Sequence, residues 1–158
     1  MNDAYLLLGS NIEPEKNILL ALEYLQQNCS LLEISTTWQT KAVGSDAADF
    51  LNTAVHVNTE KEASMLKMSC IKHIESLLGR VRFPDKNAPR TIDLDIIIFN
   101  GEVLDQALFR YAHIMLPLAE LLPDLIDPQS GQSLSMLANE TSKKNLAKKY
   151  KMLVPPNE

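Results

Sequence analysis

Apolar residues in this chain recur in two spacings, one typical of buried strands and the other of amphipathic helices. Residues 4–8 are almost continuously apolar and end at Gly9, which predicts a buried strand followed by a tight turn. A helix is predicted next, with Pro14 in its first turn and Asn11 or Glu13 as its cap. Its apolar stripe consists of Ile18, Leu19, Ala21, Leu22 and Leu25.

The same reasoning predicts two further strands and a second helix. Residues 31–39 are rich in β-branched and aromatic types and predict one strand, and residues 41–49 predict a loop. Residues 50–57 alternate in polarity and predict another strand. Helical spacing returns over residues 62–78. Its apolar positions, which we expect in the core, are Met65, Leu66, Met68, Ile71, Ile74 and Leu77.

A fourth strand over residues 93–99 is followed by Asn100 and Gly101, a pair that favours a type I′ hairpin turn. The order of elements is then βαββαβ, which predicts a ferredoxin-like α+β sandwich with an antiparallel sheet. We expect helices on one face of this sheet and an open face for ligands. A C-terminal helix is predicted over residues 133–148, and the chain of residues 1–158 is predicted to form a single domain.

A short basic loop leads directly into the fourth strand and is the most informative segment for chemistry. It holds four cations within residues 80–90, offset only by Asp85, in a chain whose formal net charge is −5. The cations are Arg80, Arg82, Lys86 and Arg90. Guanidinium groups bind phosphate oxygens bidentately, and the chain has no glycine-rich phosphate loop, so the cluster predicts a phosphate site made of arginines.

Two aspartates follow the basic loop at alternate positions of the strand. Side chains alternate across a strand, so Asp93 and Asp95 project from the same face, roughly 6–7 Å apart, while Leu94, Ile96 and Ile98 are expected on the other. Such close carboxylates resist joint ionisation unless a cation lies between them. Magnesium fits, because it takes oxygen ligands and is commonly shared with substrate phosphates.

An alternative interpretation of these residues is structural. Basic loops are usually solvated, and an Asp-x-Asp pair often marks an edge strand that avoids aggregation. However, residues 96–99 are apolar on both faces, which is typical of a central strand. Aspartates beside a central strand need a compensating partner, which favours the metal and phosphate interpretation.

Bulk properties narrow the class of function. The net charge of −5 argues against general binding of nucleic acid or anionic membranes. No apolar run is long enough to span a membrane, and the N-terminus carries Asp3 and no basic region, so we expect a cytoplasmic protein, and a monomer. Cys29 and Cys70 lack metal-type spacing and are expected to be reduced thiols without chemistry.

The run GRVR…PRTIDLDI resembles the signature of the 6-hydroxymethyl-7,8-dihydropterin pyrophosphokinase family. Residues 5–11, 40–55 and 116–125 resemble the family's first strand and turn, its pterin loop with the next strand, and its late Pro-Leu-x-Glu-x-x-Pro helix. The resemblance implies transfer of a pyrophosphoryl group from ATP to a pterin alcohol in folate biosynthesis. It further implies that Asp93 and Asp95 hold two Mg²⁺ ions and that Arg80 and Arg90 stabilise charge on the transferring group.

The predicted pterin pocket rests on both residue types and resemblance. Phe50 can stack on a flat ring, and Asn52, on the same side of the strand, offers a donor and an acceptor to the ring edge. The resemblance adds Thr40 and the backbone at Val43, and it places His113 where the family has a second stacking aromatic. For ATP the resemblance implies contacts from Lys72, Glu75, Arg82, Ile96 and Arg110.

Two departures from the family pattern keep other functions open. The connection between Phe99 and Pro117 is shorter and lacks a Pro-His pair, and Arg110 is out of register by one residue. Residues 86–88 also replace a tryptophan-containing stretch. A divergent relative that binds pterin or nucleotide with weak or no catalysis is therefore an alternative. A ferredoxin-like sensor of another small ligand is a third possibility, but it would not need the arginine and aspartate arrangement.

Overall fold

One antiparallel sheet organises the chain in the computed structural model, which describes residues 1–41, 48–80 and 91–156. In these ranges the strand order is β6-β5-β1-β4-β3-β7, and β2 also pairs with β4. The elements are β1 (Asn2–Ser10), α1 (Pro14–Asn28), β2 (Ser30–Ile34), β3 (Trp38–Thr40), β4 (Phe50–Thr59), α2 (Ala63–Met65), a π-helical segment (Leu66–Ile71), α3 (Lys72–Leu77), β5 (Asp93–Phe99), β6 (Glu102–Val103), a 3₁₀ helix (Gln106–Phe109), α4 (Ala112–Leu121), α5 (Leu134–Ser142) and β7 (Ala147–Lys149).

This order confirms the predicted fold class. The four strand regions of the βαββαβ core lie side by side as β5-β1-β4 with β2 and β3 beyond, and their ladders are antiparallel. The predicted hairpin is also confirmed, because Asn100 and Gly101 both have positive φ and join β5 to β6. No helix within the described ranges has the length and apolar character needed to cross a membrane.

The single strand predicted over residues 31–39 is wrong, because β2 and β3 are separate. Side-chain hydroxyls interrupt the ladder between them: Ser35 accepts a hydrogen bond from the backbone N–H of Ala54, and the hydroxyls of Thr37 and Thr53 are 2.7 Å apart. Short hydroxyl side chains compete with backbone partners in this way. The loop predicted over residues 41–49 lies largely outside the described residues.

Both helix predictions need correction in detail. The first helix has no side-chain cap: Glu13 precedes it in a left-handed conformation, and Asn11 instead donates to the carbonyl of Ala48. In the second, the π-helical segment changes the angular spacing, so Met65 and Met68 are exposed although a core position was predicted. Leu77 is exposed as well. The residues that do pack into the core are Leu66, Cys70, Ile71 and Ile74.

The two larger apolar cores of the described residues lie on opposite faces of the sheet. Leu6 and Leu8 pack with α1 and the helical stretch of residues 63–77, whereas Leu7 packs with residues of α4 and α5. The expectation of an open second face is therefore wrong for most of its area, because α4 and α5 cover it. The face remains accessible near Gly9, at the end of β1.

The C-terminal helix also ends earlier than predicted. It stops at Ser142 rather than Lys148, and after Asn145, whose φ is 56°, the chain becomes β7 and pairs with β3. A left-handed residue cannot continue a helix, and the unpaired edge of β3 offers the following residues backbone partners.

Strand β5 contains a bulge that separates its acidic and apolar halves. Tyr5 pairs with Ile98 but Leu6 pairs with Ile96, so Ile97 is an extra residue. Ile97 and Ile98 both pack into the core of α4 and α5. The prediction that Ile98 shares a face with Leu94 is thus wrong.

Candidate active site

A cavity of about 870 Å³ opens where the second face of the sheet is uncovered. Its floor is formed by β1, β3, β4 and β5, and its walls by the start of α4 and by the segment before β7. The floor residues are Leu7, Gly9, Thr40, Phe50, Asn52, Asp93 and Asp95; the wall residues include Lys41, Asp105, Tyr111, His113, Asn145 and Leu146.

Strand register places the chemically important floor residues in one row. Asn52 pairs with Gly9, and Gly9 pairs with Asp93. Cross-strand partners share a face of the sheet, and neighbouring strands are about 4.8 Å apart, so Asn52 and Asp93 lie about 10 Å apart across Gly9. In the adjacent row Leu7 separates Ala54 from Asp95.

Gly9, between Asn52 and Asp93, has no side chain and so leaves space above the sheet for a ligand. A Cβ at position 9 would lie 3.2 Å from Oδ1 of Asn52, closer than such contacts usually allow. Asn52 is buried and donates from Nδ2 to Oγ1 of Thr40 at 2.9 Å. The amide is therefore held in one orientation beside Phe50, with its oxygen toward Gly9.

Arg80 joins the end of α3 to the first aspartate of β5. Its Nη1 donates to Oε2 of Glu75 at 2.6 Å and to Oδ1 of Asp93 at 3.0 Å. Glu75 is only 5% exposed, and the same Oε2 accepts from the backbone N–H of Leu94 at 3.3 Å. A buried ion pair of this kind fixes the guanidinium against the sheet, since a lone buried charge would be costly.

The described residues around Asp95 are mostly acidic. Asp95 lines the cavity, so water reaches it while protein surrounds it. Burial, followed by the charges of Asp93, Glu75 and Asp105, raises the pKa of Asp95 to about 6, although Arg80 opposes this shift. A divalent cation would remove the repulsion, so the two aspartates fit the predicted magnesium site.

Magnesium bound here would need ligands besides protein side chains. Among the described residues, no group of three or more His, Cys, Asp and Glu side chains is arranged to hold a metal ion. Mg²⁺ prefers six oxygen ligands and commonly takes several from water and substrate phosphates. Two carboxylates beside an arginine suit a metal ion whose remaining ligands are phosphate oxygens of the substrate.

His113 forms part of the opposite wall. Burial lowers its pKa, and the charges of Asp105 and Asp93 act against this shift without reversing it. Its ring lies near that of Tyr111, with centroids 6.0 Å apart. A neutral imidazole at this wall offers a flat face and both a donor and an acceptor to a ligand.

The structure brings together only part of the predicted site. The cavity is lined by Thr40, Phe50, Asn52, Asp93, Asp95 and His113, and Arg80 reaches it through Asp93. The predicted residues Val43, Arg82 and Arg90 lie outside the described residues.

The predicted ATP contacts are more scattered. Glu75 is buried beneath Arg80, Arg110 donates to Gln129 at 3.1 Å, and Lys72 is exposed on α3. Ile96 packs against the core of the first face. None of these four lines the described cavity, so their contact with ATP stays a prediction.

Sequence reasoning did not identify several cavity residues, among them Asp105, Tyr111, Asn145 and Leu146. Asp105 caps the 3₁₀ helix by accepting from the backbone of Ala107, which is a recognisable signal for a helix start but not for a binding site. The other three are placed by the packing of α4 and β7, for which local sequence gives no sign.

Comparison with known proteins agrees with this geometry. Residues 5–123 match the family described as 7,8-dihydro-6-hydroxymethylpterin-pyrophosphokinase (HPPK). The 2-amino-4-hydroxy-6-hydroxymethyldihydropteridine pyrophosphokinase of Synechocystis sp. is 30% identical over 84% of this chain and 73% of its own length. The protein of the same description from Methylorubrum extorquens is 36% identical over 80% of this chain and 86% of its own length.

The fold has solved counterparts as well. Over 94% of this chain, a crystal structure of a Plasmodium falciparum HPPK-DHPS triple mutant with STZ-DHP superposes with a TM-score of 0.72 at 13% identity. The chain spans 46% of that longer polypeptide, and at this identity the likeness concerns the fold. Taken with the match over residues 5–123 and the two relatives, these findings show that the chain belongs to the HPPK family.

Proposed function

We propose that this protein transfers the pyrophosphoryl group of ATP to 6-hydroxymethyl-7,8-dihydropterin, a step of folate biosynthesis, and that the cavity over β1, β4 and β5 is where it does so. Family membership and the descriptions of its relatives support the reaction. The proposed location is supported by the row of Asn52, Gly9 and Asp93. In this row an amide that could bind the edge of the pterin ring lies near a carboxylate that could bind a metal ion.

The spacing of the row suits a pterin alcohol. The bicyclic ring would stack on Phe50 and exchange hydrogen bonds with Asn52, whose orientation Thr40 fixes. About 10 Å separates Asn52 from Asp93 across two strand spacings, which is room for the ring to lie over Gly9. Its hydroxymethyl group then points toward Asp93 and Asp95. His113 would contact the ring from the opposite wall.

Asp93 and Asp95 would hold magnesium, for which we propose two ions. Bound Mg²⁺ supplies a positive charge that neutralises phosphate oxygens and makes a coordinated hydroxyl easier to deprotonate. The carboxylates orient the hydroxymethyl group by holding that charge on the floor of the cavity. No residue with the role of a general base is required for this arrangement.

Arg80 is positioned to stabilise charge on the transferring group. In the free protein it neutralises Asp93, and its Nε is buried without a hydrogen-bond partner among the described residues. Glu75 holds the guanidinium from below, so Arg80 can offer its remaining donors to phosphate without leaving its anchor. By resemblance Arg90 acts with it. We propose that Glu75 acts through Arg80.

Turnover and binding measurements test the function and its alternative together. Formation of AMP from ATP, only when both the pterin alcohol and Mg²⁺ are present, is the expected result. Calorimetry with an ATP analogue whose α,β-bridge cannot be cleaved would then show pterin binding without reaction. Pterin binding with no AMP formation by the native chain would instead support a binding protein with weak or no catalysis. Absence of pterin binding would contradict both.

The remaining predictions stand as proposals. ATP is the co-substrate, and we expect contacts from Lys72, Glu75, Arg82, Ile96 and Arg110. We also propose that residues 1–158 act as one domain and a cytoplasmic monomer, with no nucleic-acid or membrane partner, in line with the net charge of −5. Light scattering or analytical ultracentrifugation measures the oligomeric state directly.

A further inference from the structure

The C-terminal segment contributes a wall to the cavity although it lies beyond the residues that match the family. We propose that residues 145–149 complete the pterin pocket and that Leu146 is a specificity-determining residue in contact with the substrate. This inference rests on the proposed function, since it assigns a further residue to the same site. The family match ends at residue 123, so the wall is supplied by a part of the chain outside it.

Strand pairing brings this segment next to the proposed pterin residues. Ala147 pairs with Thr40 in β3, and Thr40 pairs with Phe50 in β4. Two strand spacings therefore separate Ala147 from Phe50, about 10 Å. Leu146 directly precedes Ala147 and lines the same cavity as Phe50. A ring that stacks on Phe50 and lies over Gly9 would have Leu146 beside its other edge, on the side of Thr40.

Several contacts fix the segment in place. The backbone N–H of Tyr150 donates to the carbonyl of Thr37, and the N–H of Thr37 donates to the carbonyl of Lys151. Lys149 lies over the ring of Trp38, 5.6 Å from its centroid. Further along, Leu153 is buried in the core of the first face. The wall is thus held on both sides of Trp38 and is preorganised before substrate binds.

The turn at Asn145 directs Leu146 into the cavity. Asn145 has a φ of 56°, a left-handed conformation that asparagine tolerates better than most residues, and it reverses the chain between α5 and β7. Leu146 remains 57% exposed. An exposed leucine is ordinary on a surface, but one that lines a cavity together with Phe50 offers apolar area that a bound ring would cover.

The test compares two exposed leucines. Leu146→Ala removes the proposed contact, and Leu32→Ala is the matched control, because Leu32 is 49% exposed on β2 and does not line the cavity. Affinity for 6-hydroxymethylpterin is measured by calorimetry in the presence of Mg²⁺ and the uncleavable ATP analogue. We expect Leu146→Ala to weaken pterin binding about fivefold to tenfold and Leu32→Ala to change it less than twofold. Affinity for the ATP analogue alone should be unchanged in both.

Asn52→Ala separates failure of this inference from failure of the proposed site. If Asn52→Ala weakens pterin binding while Leu146→Ala does not, residues 145–149 are not part of the pocket and the proposed site stands. If neither variant alters pterin affinity, the site and this inference are both wrong. Loss of ATP affinity alone in Leu146→Ala would overturn the assignment to pterin. Equal melting temperatures of the two leucine variants would show that the comparison is not one of folding.

Discussion

The same face of the sheet carries polar residues at both of its ends, and the two ends differ in how their charges are balanced. At the far end His56 lies between two carboxylates, 3.1 Å from Asp3 and 3.2 Å from Glu33, and stacks on Tyr5 with ring centroids 4.3 Å apart. The imidazole of His56 and the carboxylates of Asp3 and Glu33 are thus partners of one another within the fold.

At the cavity end the charges of the described residues do not balance one another. Arg80 contacts Asp93, but the charges near Asp95 are mostly negative and the pKa of Asp95 is raised to about 6. Within the described residues no ion pair to Asp95 is formed. A fold tolerates such a local imbalance where a ligand restores it, so the contrast between the two ends supports the proposal that the cavity end is the functional one.

Asp95→Asn is expected to have the largest effect at the cavity end. Removing the carboxylate should lower turnover by at least about 10³-fold at saturating Mg²⁺, because several kcal/mol of charge stabilisation depend on the metal that it holds. AMP formation measures the loss. A rate near that of the native chain would contradict the metal assignment.

The same substitution should make the metal-free protein more stable. The folded-state pKa of Asp95 is raised, so its ionisation opposes folding progressively as pH rises through about 6. Asn carries no such charge. Because Asp95 is exposed to the cavity and solvent screens its charge, the gain in melting temperature is expected to be only about 2–5 °C at pH 8 and near zero at pH 4. Equal or lower stability at pH 8 would show that Asp95 is already compensated in the free protein.

Arg80→Ala should give the next largest effect. If the guanidinium stabilises charge that develops during transfer, turnover should fall on the order of 10²-fold with little change in the Michaelis constant for ATP. Lys67→Ala, which removes an exposed cation from the π-helical segment, is the control and should leave turnover unchanged. An effect of Arg80→Ala on ATP affinity alone would make it a binding residue only.

Substitutions in the pterin row should act on affinity. Asn52→Ala should weaken pterin binding by roughly 1–3 kcal/mol, since the ring edge loses a partner in a buried site. Phe50→Leu keeps apolar area but loses stacking and should cost about 1 kcal/mol. Calorimetry measures both, with ATP affinity as the internal control. No change in either variant would show that the pterin pocket has been misplaced.

The smallest effect on function is expected at the far end. His56→Ala removes the partner of Asp3 and Glu33 and the ring stacked on Tyr5, so the free energy of unfolding should fall by about 1 kcal/mol. Turnover should stay within twofold of the native value. A large loss of turnover with an intact fold would show that the two ends are coupled, and it would contradict the proposal that only the cavity end is functional.

Local pattern predicted the parts of the fold that depend on local geometry. The alternation of side chains along a strand predicted that Asp93 and Asp95 share a face. The Asn100 and Gly101 pair predicted the hairpin turn. The same alternation predicted that Phe50 and Asn52 share a face, and both line the cavity. Each of these follows from a few adjacent residues, so the sequence alone was sufficient.

What the sequence did not reveal depends on contacts between distant segments. Nothing near Ala147 indicates that it will pair with Thr40, and the coverage of the second face by α4 and α5 is visible only once Leu7 meets their side chains. The π-helical segment changes the angle between successive residues, so Met68 is exposed although regular α-helical spacing predicts that it is buried. Asp105 and Leu146 entered the cavity through such packing.

The extra residue in β5 has a consequence for how this fold tolerates change in length. Because Ile97 absorbs one residue between the acidic half of the strand and the hairpin at Asn100, the two halves keep separate registers against β1. An insertion or deletion beyond the bulge can be accommodated by the hairpin without turning Asp93 or Asp95 to the other face. The short connection that follows β5 in this chain is a change of the kind that such an insulated strand allows.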